Sequence, residues 1–419
     1  MTSSLNGQPP SKHIPLGLLA LAIAALAIGM AEFVVVGILP TIAQDMQVPL
    51  PSAGLIVSIY ALAVAVAAPI LTTLTGRLDR RRLAAGLMAV FVVANLVAYF
   101  AQDFTTLLTS RVLAGAVQGV FYSMATIVAA SLVPKERAGE AIAIMFSGLT
   151  IALVSGVPLG SFLSEAFGWR SAFLLVSGVG GLAALAILLG LPKHSERPAA
   201  ARIRDQLKVV LVPRLLLIFA ITCIGYGGAF IAFTFLSEIL QRVTGFSLNQ
   251  VGLVLVLYGL AVTVGNMWCA KLADRKGSVP TLFGILAILT AVLAVLDRVA
   301  PHPYAMVPVV MLWGAVAFGS IPVLQLYIVQ QAKRLAPASL DAASSMNISA
   351  FNAGIALGAW AGGEVVLSSG VMATGPVAAG VVAISLVLVL VSGWLDRRDC
   401  AAERARFGGR CADDAAAPV

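Results

Sequence analysis

The chain has 419 residues, 60% of them hydrophobic and only 11% charged, with a mean hydropathy of +0.98. Soluble domains carry about 25% charged residues, so an ordinary soluble enzyme, a nucleic-acid binder and a disordered chain are all excluded. The net charge of +8 comes from basic residues concentrated in short loops and does not call for a polyanionic partner.

A helix that crosses a bilayer needs about 20 apolar residues. After a short tail, residues 1–13, the first apolar run covers 14–39. That is longer than the roughly 7–15 residues of a signal-peptide core, so it reads as a retained first span. Spans follow over 52–74, 83–101, 106–133, 139–164 and 169–191, giving an N-terminal six-helix half at 14–191. A polar central loop occupies 192–213. Six more spans fall at 214–237, 248–271, 279–297, 304–332, 343–368 and 372–395, giving a C-terminal half at 214–395 and a tail at 396–419. Each span must be a helix, because lipid offers no partner for an open sheet edge. The expected fold class is an all-α membrane protein of twelve transmembrane helices in two pseudo-symmetric six-helix halves.

With the N-terminus placed inside, 23 of the 27 Lys and Arg residues fall on the inner side. Only Arg170, Arg242 and Arg298 fall outside, and Arg111 lies within a span. This bias predicts cytoplasmic termini and a central loop on the same side. Cys223 and Cys269 lie in apolar blocks, Cys400 and Cys411 in the tail, and their spacing suggests neither a zinc site nor a disulfide framework. His13, His194 and His302 all lie outside the spans, so an intramembrane histidine relay is excluded. No metal or cofactor is expected.

The halves carry matching features. The loop after span two, residues 76–82, and the loop after span eight, residues 270–277, are both short and basic. Small residues recur every fourth position in span five, at Gly148, Ala152, Gly156 and Gly160, and again in span eleven, at Ala350, Gly354, Gly358 and Gly362. That spacing makes one stripe along a helix, where a neighbour can approach closely. Span two offers Ala61 and Ala65, and span eight Ala261 and Gly265, as candidate partners.

Gly29-Met-Ala-Glu32-Phe33 with Gly37-Ile-Leu-Pro40 resembles the drug/proton antiporter branch of the major facilitator superfamily. Within that branch the chain is similar to the sugar-efflux, arabinose-efflux, purine-efflux and chloramphenicol-resistance exporters. The loop of Gly76, Asp79, Arg80 and Arg81 resembles the superfamily's loop-two motif, with Asp79 one place early and Arg80 at the usual acid position. The second copy, with Asp274 and Arg275, is closer to it. Arg111 through Gln118-Gly119 resembles the span-four motif. Gly148 through Gly156-Val-Pro158-Leu-Gly160 resembles the span-five antiporter motif, with Val157 between a Gly and a Pro that are often adjacent. The resemblance implies alternating access, a latch at the basic loops, a span-five seal between halves, and a cavity lined by spans one and four.

Glu32 and Arg111 are the only charges read as well inside spans. Such charges are costly and mark function by default. Counted at about 1.5 Å per residue, both lie roughly 9–12 Å below the outer edge, where they can face each other or the same water. Glu32 is the expected proton carrier and Arg111 its coupling partner; the alternative is a permanent ion pair that pins two helices. Cavity candidates are Tyr60, Asn95, Gln118, Tyr122, Tyr226, Asn266, Gln325, Tyr327, Asn347 and Asn352. Gln325, Asn347 and Asn352 form the densest polar group of the second half. Tyr226, among Gly225, Gly227 and Gly228, suggests either a hinge or tight packing.

The expected activity is proton-coupled export of a small organic solute by a monomer in a bacterial-type cytoplasmic membrane. A symporting importer and a non-transporting solute sensor are the alternatives. No acid, histidine, serine or metal-ligand cluster supports an enzyme, and no phosphate-binding loop supports ATP-driven transport. One acid and one base in the cavity suit a neutral or zwitterionic solute, such as a sugar, a nucleoside or an amphenicol. Protons, the solute and lipid are the expected partners, and nucleic acid is not.

Overall fold

A computed structural model describes residues 15–75, 78–134, 137–192 and 208–407. Among these, twelve long helices run in chain order: α1 (Leu16–Asp45), α2 (Leu50–Thr75), α3 (Arg80–Phe100), α4 (Phe104–Ser131), α5 (Ala138–Phe167), α6 (Arg170–Gly190), α7 (Pro213–Phe233), α8 (Leu248–Lys276), α9 (Ser278–Ala294), α10 (Pro303–Leu335), α11 (Leu340–Ser369) and α12 (Thr374–Phe407). Eleven segments are long and apolar enough to cross a membrane unaided. The other, α9, has 17 residues and is prolonged by a short turn at Leu296–Val299. The chain is a multi-pass membrane protein. The face where α1 begins and α12 ends is called the near face below, and the opposite one the far face.

Helix ends follow from local chemistry. The Asp79 and Asp103 carboxylates accept the Arg82 and Thr106 amides at 3.0 and 2.8 Å, starting α3 and α4. The Thr106 side-chain and backbone bonds hold the fully exposed Asp103 carboxyl below the usual range. Ser247 and Gln250 close a reciprocal cap on α8. Helices α5 and α11 both end on a glycine in left-handed backbone, Gly168 at φ 82° and Gly370 at φ 83°, a conformation a Cβ disfavours. The two stripe-bearing helices therefore stop in the same way.

Many large apolar side chains point outward, among them Leu189, Leu253, Trp268 and Leu367, while glycines and alanines sit with buried Phe, Leu and Ile where helices touch. In lipid an apolar exterior costs nothing, and close backbone approach supplies the cohesion. The stripe glycines face α1 and α7, not the offered residues of α2 and α8, although α11 also packs on α2 and α5 on α8 through other positions. The span-five stripe lies on α1: a Cβ at Gly148 would collide with the Ala22 carbonyl, and one at Gly160 with the Val34 side chain. The span-eleven stripe lies on α7, with Gly354 against Cys223, Gly358 against Gly227 and Gly362 against Ile231. Gly265 instead packs on Ala315 of α10. Four-residue spacing marks a close approach but not the neighbour that makes it. Gly225, Gly227 and Gly228 likewise serve tight packing, on Ser385, Gly354 and Val382.

Residues 16–190 and 213–407 meet mainly through α2 on α11 and α5 on α8. Ser58 Oγ of α2 donates to the Ala356 carbonyl of α11 at 2.6 Å. Gly259 of α8 lies on Val154 of α5, and Gly252 faces Pro158. Beyond Phe233, α7 loses its α-helical form and passes through Leu236–Glu238 into a π turn at Ile239–Val243. From this segment Ser237 Oγ donates to the Gly37 carbonyl of α1 at 3.1 Å. These bridges lie between the centre and the far face.

Two further sequence expectations are corrected. The last helix runs to Phe407, so the span placed at 372–395 continues as helix through the first twelve residues of the expected tail. Asp396 within it is buried, because donors on two other helices hold it there.

The uneven spacing along the stripe gives a test. Gly148→Ala forces α1 and α5 apart and should cost about 1–3 kcal/mol, seen as a lower thermal midpoint of the purified protein in detergent. At Gly156 the nearest atom to an added Cβ is 3.6 Å away, so Gly156→Ala should melt like the wild type.

Candidate functional site

Glu32 sits on α1 between buried Ala31 and Phe33, and is itself only half-buried. Gln118 of α4 donates its Nε2 to Glu32 Oε2 at 2.9 Å. Gln118 Oε1 in turn accepts from the Tyr60 hydroxyl of α2 at 2.6 Å. Three helices thus build one chain, Tyr60 to Gln118 to Glu32. A Gln is suited to the middle, because its amide accepts at one end and donates at the other. The close approach of α2 and α4 sets this geometry: a Cβ at Gly115 would strike the Tyr60 carbonyl.

Arg111 lies beside this chain and is almost wholly buried. Its Nη2 donates to the Ala31 carbonyl at 2.8 Å. Its guanidinium stacks over the Tyr60 ring at 4.1 Å and approaches Phe173 at 5.9 Å, a favourable cation–π placement. Nε and Nη1 are buried without a hydrogen-bond partner. No ion pair within 4.0 Å joins Arg111 to Glu32. The two charges share one cluster, linked through Tyr60 and through the backbone beside Glu32, but the permanent ion pair is absent. Helix depth placed both residues at one level; the direction each side chain takes was not in that count.

The other half contributes a second polar chain. Thr222 Oγ1 donates to Asn347 Oδ1 at 2.8 Å, Asn347 Nδ2 to Gln325 Oε1 at 3.0 Å, and Gln325 Nε2 to Ser344 Oγ at 2.5 Å. The sequence singled out Gln325 and Asn347 but not Thr222 or Ser344, since hydroxyls are frequent in helices and carry little signal alone. Asn352 stands apart, donating to Ile348 of its own helix at 3.0 Å. Asn95 does likewise toward Phe91, which leaves both outside the two chains, and the buried Asn266 Oδ1 has no hydrogen-bond partner. Tyr122 donates to the Ala25 carbonyl at 3.2 Å and stacks on Phe146. Tyr226 joins Phe230, Phe318 and Phe351 in an aromatic cluster.

Among the loop-motif residues, Gly76 lies outside the described residues. Asp79 caps α3, and Arg81 donates to the Leu188 carbonyl of α6 in the same half. Arg80 is buried with its Nε unpartnered. Asp274 and Arg275 are exposed at the end of α8. In this structure none of these described residues bonds across the halves. On α5, Pro158 faces α8 while the glycines face α1.

Two buried acids escaped the sequence reading, which admitted only Glu32 and Arg111 as charges inside spans. Glu238 pairs with Arg242 at 2.7 Å and lines a far-face cavity of about 510 Å³ with Pro40, Leu50 and Val366. Asp396 accepts from Arg214, from Tyr327 at 2.8 Å and from Gln331 at 2.9 Å. Tyr327 therefore belongs to this near-face group and not to the central cavity. Arg214 and Asp396 each sit at the margin of an apolar run, where sequence gives no hint of burial.

Central polar chains held by crossing helices, inside an apolar shell of this architecture, are what a solute carrier needs. The family model of the Major Facilitator Superfamily matches residues 21–340. The chain belongs to the major facilitator superfamily. The MFS-type transporter YtbD of Bacillus subtilis is 43% identical over 95% of this chain and 99% of its own. A chloramphenicol resistance protein of Streptomyces lividans is 32% identical over 73% of this chain and 78% of its own. A probable sugar efflux transporter of Mannheimia succiniciproducens is 28% identical over 88% and 91%. Among solved structures, a bacterial homolog of the human lysosomal transporter Spinster, inward-facing and unoccupied, superposes with a TM-score of 0.69 at 14% identity, covering 90% of this chain and 94% of that one. That last likeness is one of fold. The family is one of membrane transporters, and this chain is a transporter by membership, not an enzyme.

The near-face group gives a second test. Asp396→Ala takes the nearer of two carboxylates from the half-buried Arg214 and the shared acceptor from Tyr327 and Gln331, and should cost about 1–3 kcal/mol. Combining Arg214→Met with Asp396→Leu removes both charges and should recover most of the lost thermal stability, measured on the purified variants.

Proposed function

We propose that this transporter is a proton-coupled exporter of a small organic solute, with Glu32 as the proton-carrying group. The observation that carries the reading is the Tyr60–Gln118–Glu32 chain with the Arg111 guanidinium beside it. It gives one acid, deep in the bundle and half-buried, a fixed donor and a nearby positive charge not spent on an ion pair. Protonation removes a charge from the centre of the bundle, and deprotonation restores a carboxylate that Gln118 is placed to hold.

Alternating access supplies the rest. One opening favours the protonated carboxyl and the other the ionised one, so proton release and solute release occur on opposite sides. Each pH unit is worth about 1.36 kcal/mol per proton, and each charge moved about 2.3 kcal/mol per 100 mV. These suffice to drive a solute uphill. The basic-residue bias supports a cytoplasmic near face with both termini inside, in the inner membrane of a bacterium. The far-face bridges support reading the present arrangement as one closed on the far side. Export is favoured over import by the span-five pattern and by the names of the two efflux and resistance relatives. A sugar and an amphenicol-type drug are the first solutes to try. Arg80, buried and without a partner for Nε, is the loop residue best suited to latch the near face when it closes.

The test is proton movement in everted vesicles, read with a pH-sensitive dye. Sugars, purine nucleosides, chloramphenicol and a lipophilic cation are added to wild type and to Glu32→Gln. A solute that dissipates the gradient in the wild type, and not in the variant, is the expected result. Equal dissipation in both would remove Glu32 from the coupling role, and no response to any solute would remove proton-coupled export of these classes.

A further inference from the structure

The Phe318 ring of α10 lies at the centre of an aromatic cluster. Its centroid is 5.7 Å from Tyr226, 6.0 Å from Phe233, 6.1 Å from Tyr258 and 6.5 Å from Phe230, all in the second half. It is also 6.1 Å from Phe33 of α1, in the first half. Phe33 is the residue after Glu32. Four residues further along α1, Gly37 accepts the cross-half bond from Ser237. The Phe33–Phe318 contact therefore sits between the Glu32 site and the far-face bridges.

The backbone under Phe318 is locally weak. Pro322 has no N–H, so the Phe318 carbonyl loses its helical donor four residues on. Gly314 and Gly319 flank the ring, and a Cβ at either would collide, with Tyr258 in the first case and Cys269 in the second. Little more than two turns of α10 thus combine a missing hydrogen bond, two glycines and the hub of the cluster, and Pro and Gly are where helices bend.

A third observation distinguishes this cluster from an ordinary apolar core. The Tyr258 hydroxyl and the Trp313 indole N–H are both buried without a partner. Tyr258 stacks on Phe233 at 5.2 Å, and Trp313 meets Phe233 edge-on at 6.3 Å. Buried donors left unpaired are a cost that water would relieve. Opening the cluster would let water reach both donors.

We propose that Phe318, pressed on Phe33, is the far-side gating residue of the pathway, and that α10 carries it by bending between Gly314 and Pro322. The inference rests on the alternating-access part of the function proposed above. It adds the physical connection between the Glu32 site and the far face: Phe33 cannot shift with Glu32 without disturbing Phe318. Parting the two rings opens the passage, wets Tyr258 and Trp313, and frees the Ser237 and Ser58 bridges to separate.

Thiol accessibility tests this without a known solute. The four native cysteines are replaced, and Ala359→Cys is introduced at the α2–α11 seam, where Ala359 is fully buried. Ala172→Cys, fully buried within the first six helices, is the control. A membrane-impermeant maleimide is applied to right-side-out and to inside-out vesicles. Phe318→Ala should raise labelling at position 359 by about tenfold from the far side, as a shift of population toward the far-open state requires, with position 172 unchanged. Phe318→Tyr keeps the ring and should label like the parent. Phe318→Leu keeps most of the volume and should give a smaller one-sided rise if the alanine variant does not fold. Unchanged labelling at 359 in the folded Ala or Leu variant, or an equal rise at 172, would overturn the gate. Because no transport is measured, the gate can fail while the Glu32→Gln result stands, and the reverse.

Discussion

The closest contacts in this molecule are of backbone on backbone, and the site depends on them. Gly148 and Gly160 let α5 lie directly on α1, while Gly115 lets α4 lie directly on α2. Only at that separation do three short reaches meet: Tyr60 to Gln118, Gln118 to Glu32, and Arg111 to the Ala31 carbonyl. Lipid gives helices no hydrophobic reason to associate, so such contacts have to supply the attraction themselves. A side chain added at one of these glycines acts on the site through helix position, without touching it.

The second half repeats the device with different chemistry. Its stripe on α7 brings Thr222, Asn347, Gln325 and Ser344 into one neutral chain. The charged chain thus belongs to one half and a neutral, fully bonded chain to the other. Between them stands the aromatic cluster around Phe318, joined to the first half through Phe33. A charge that changes with protonation on one side, and a packed surface on the other, is an arrangement in which a local electrostatic event can bias a whole-body movement.

Outside the centre, the two buried acids lie toward the two faces. Asp396 gathers Arg214, Tyr327 and Gln331 on the near face, and Glu238 pairs with Arg242 in a π turn on the far face. Both acids are answered by donors, as burial demands. Arg80 and the inner nitrogens of Arg111 are the contrasting cases, with buried N–H groups that find no acceptor here. A carrier that alternates between two packings need not satisfy every group in each of them.

The sequence by itself determined the membrane class, the twelve segments, the matching halves and the depth of Glu32 and Arg111. These are one-dimensional properties: runs of apolar residues must be helices in lipid, and the rise per residue converts position into depth. It also marked Tyr60, Gln118, Gln325 and Asn347, because polar residues in apolar runs are conspicuous. Only the tertiary structure decided azimuth and partner. Glycine spacing said that α5 is approached closely, but it is α1 that lies against the stripe itself, while α8 meets α5 at Val154 and Pro158. Glu32 and Arg111 share a level yet bond to different groups. Asp396 and Arg214, 182 residues apart and each at the edge of an apolar run, look solvated until three helices are brought together around them. Spacing along a chain fixes what a helix can present; what it meets is fixed by the packing of helices that the chain does not place in order.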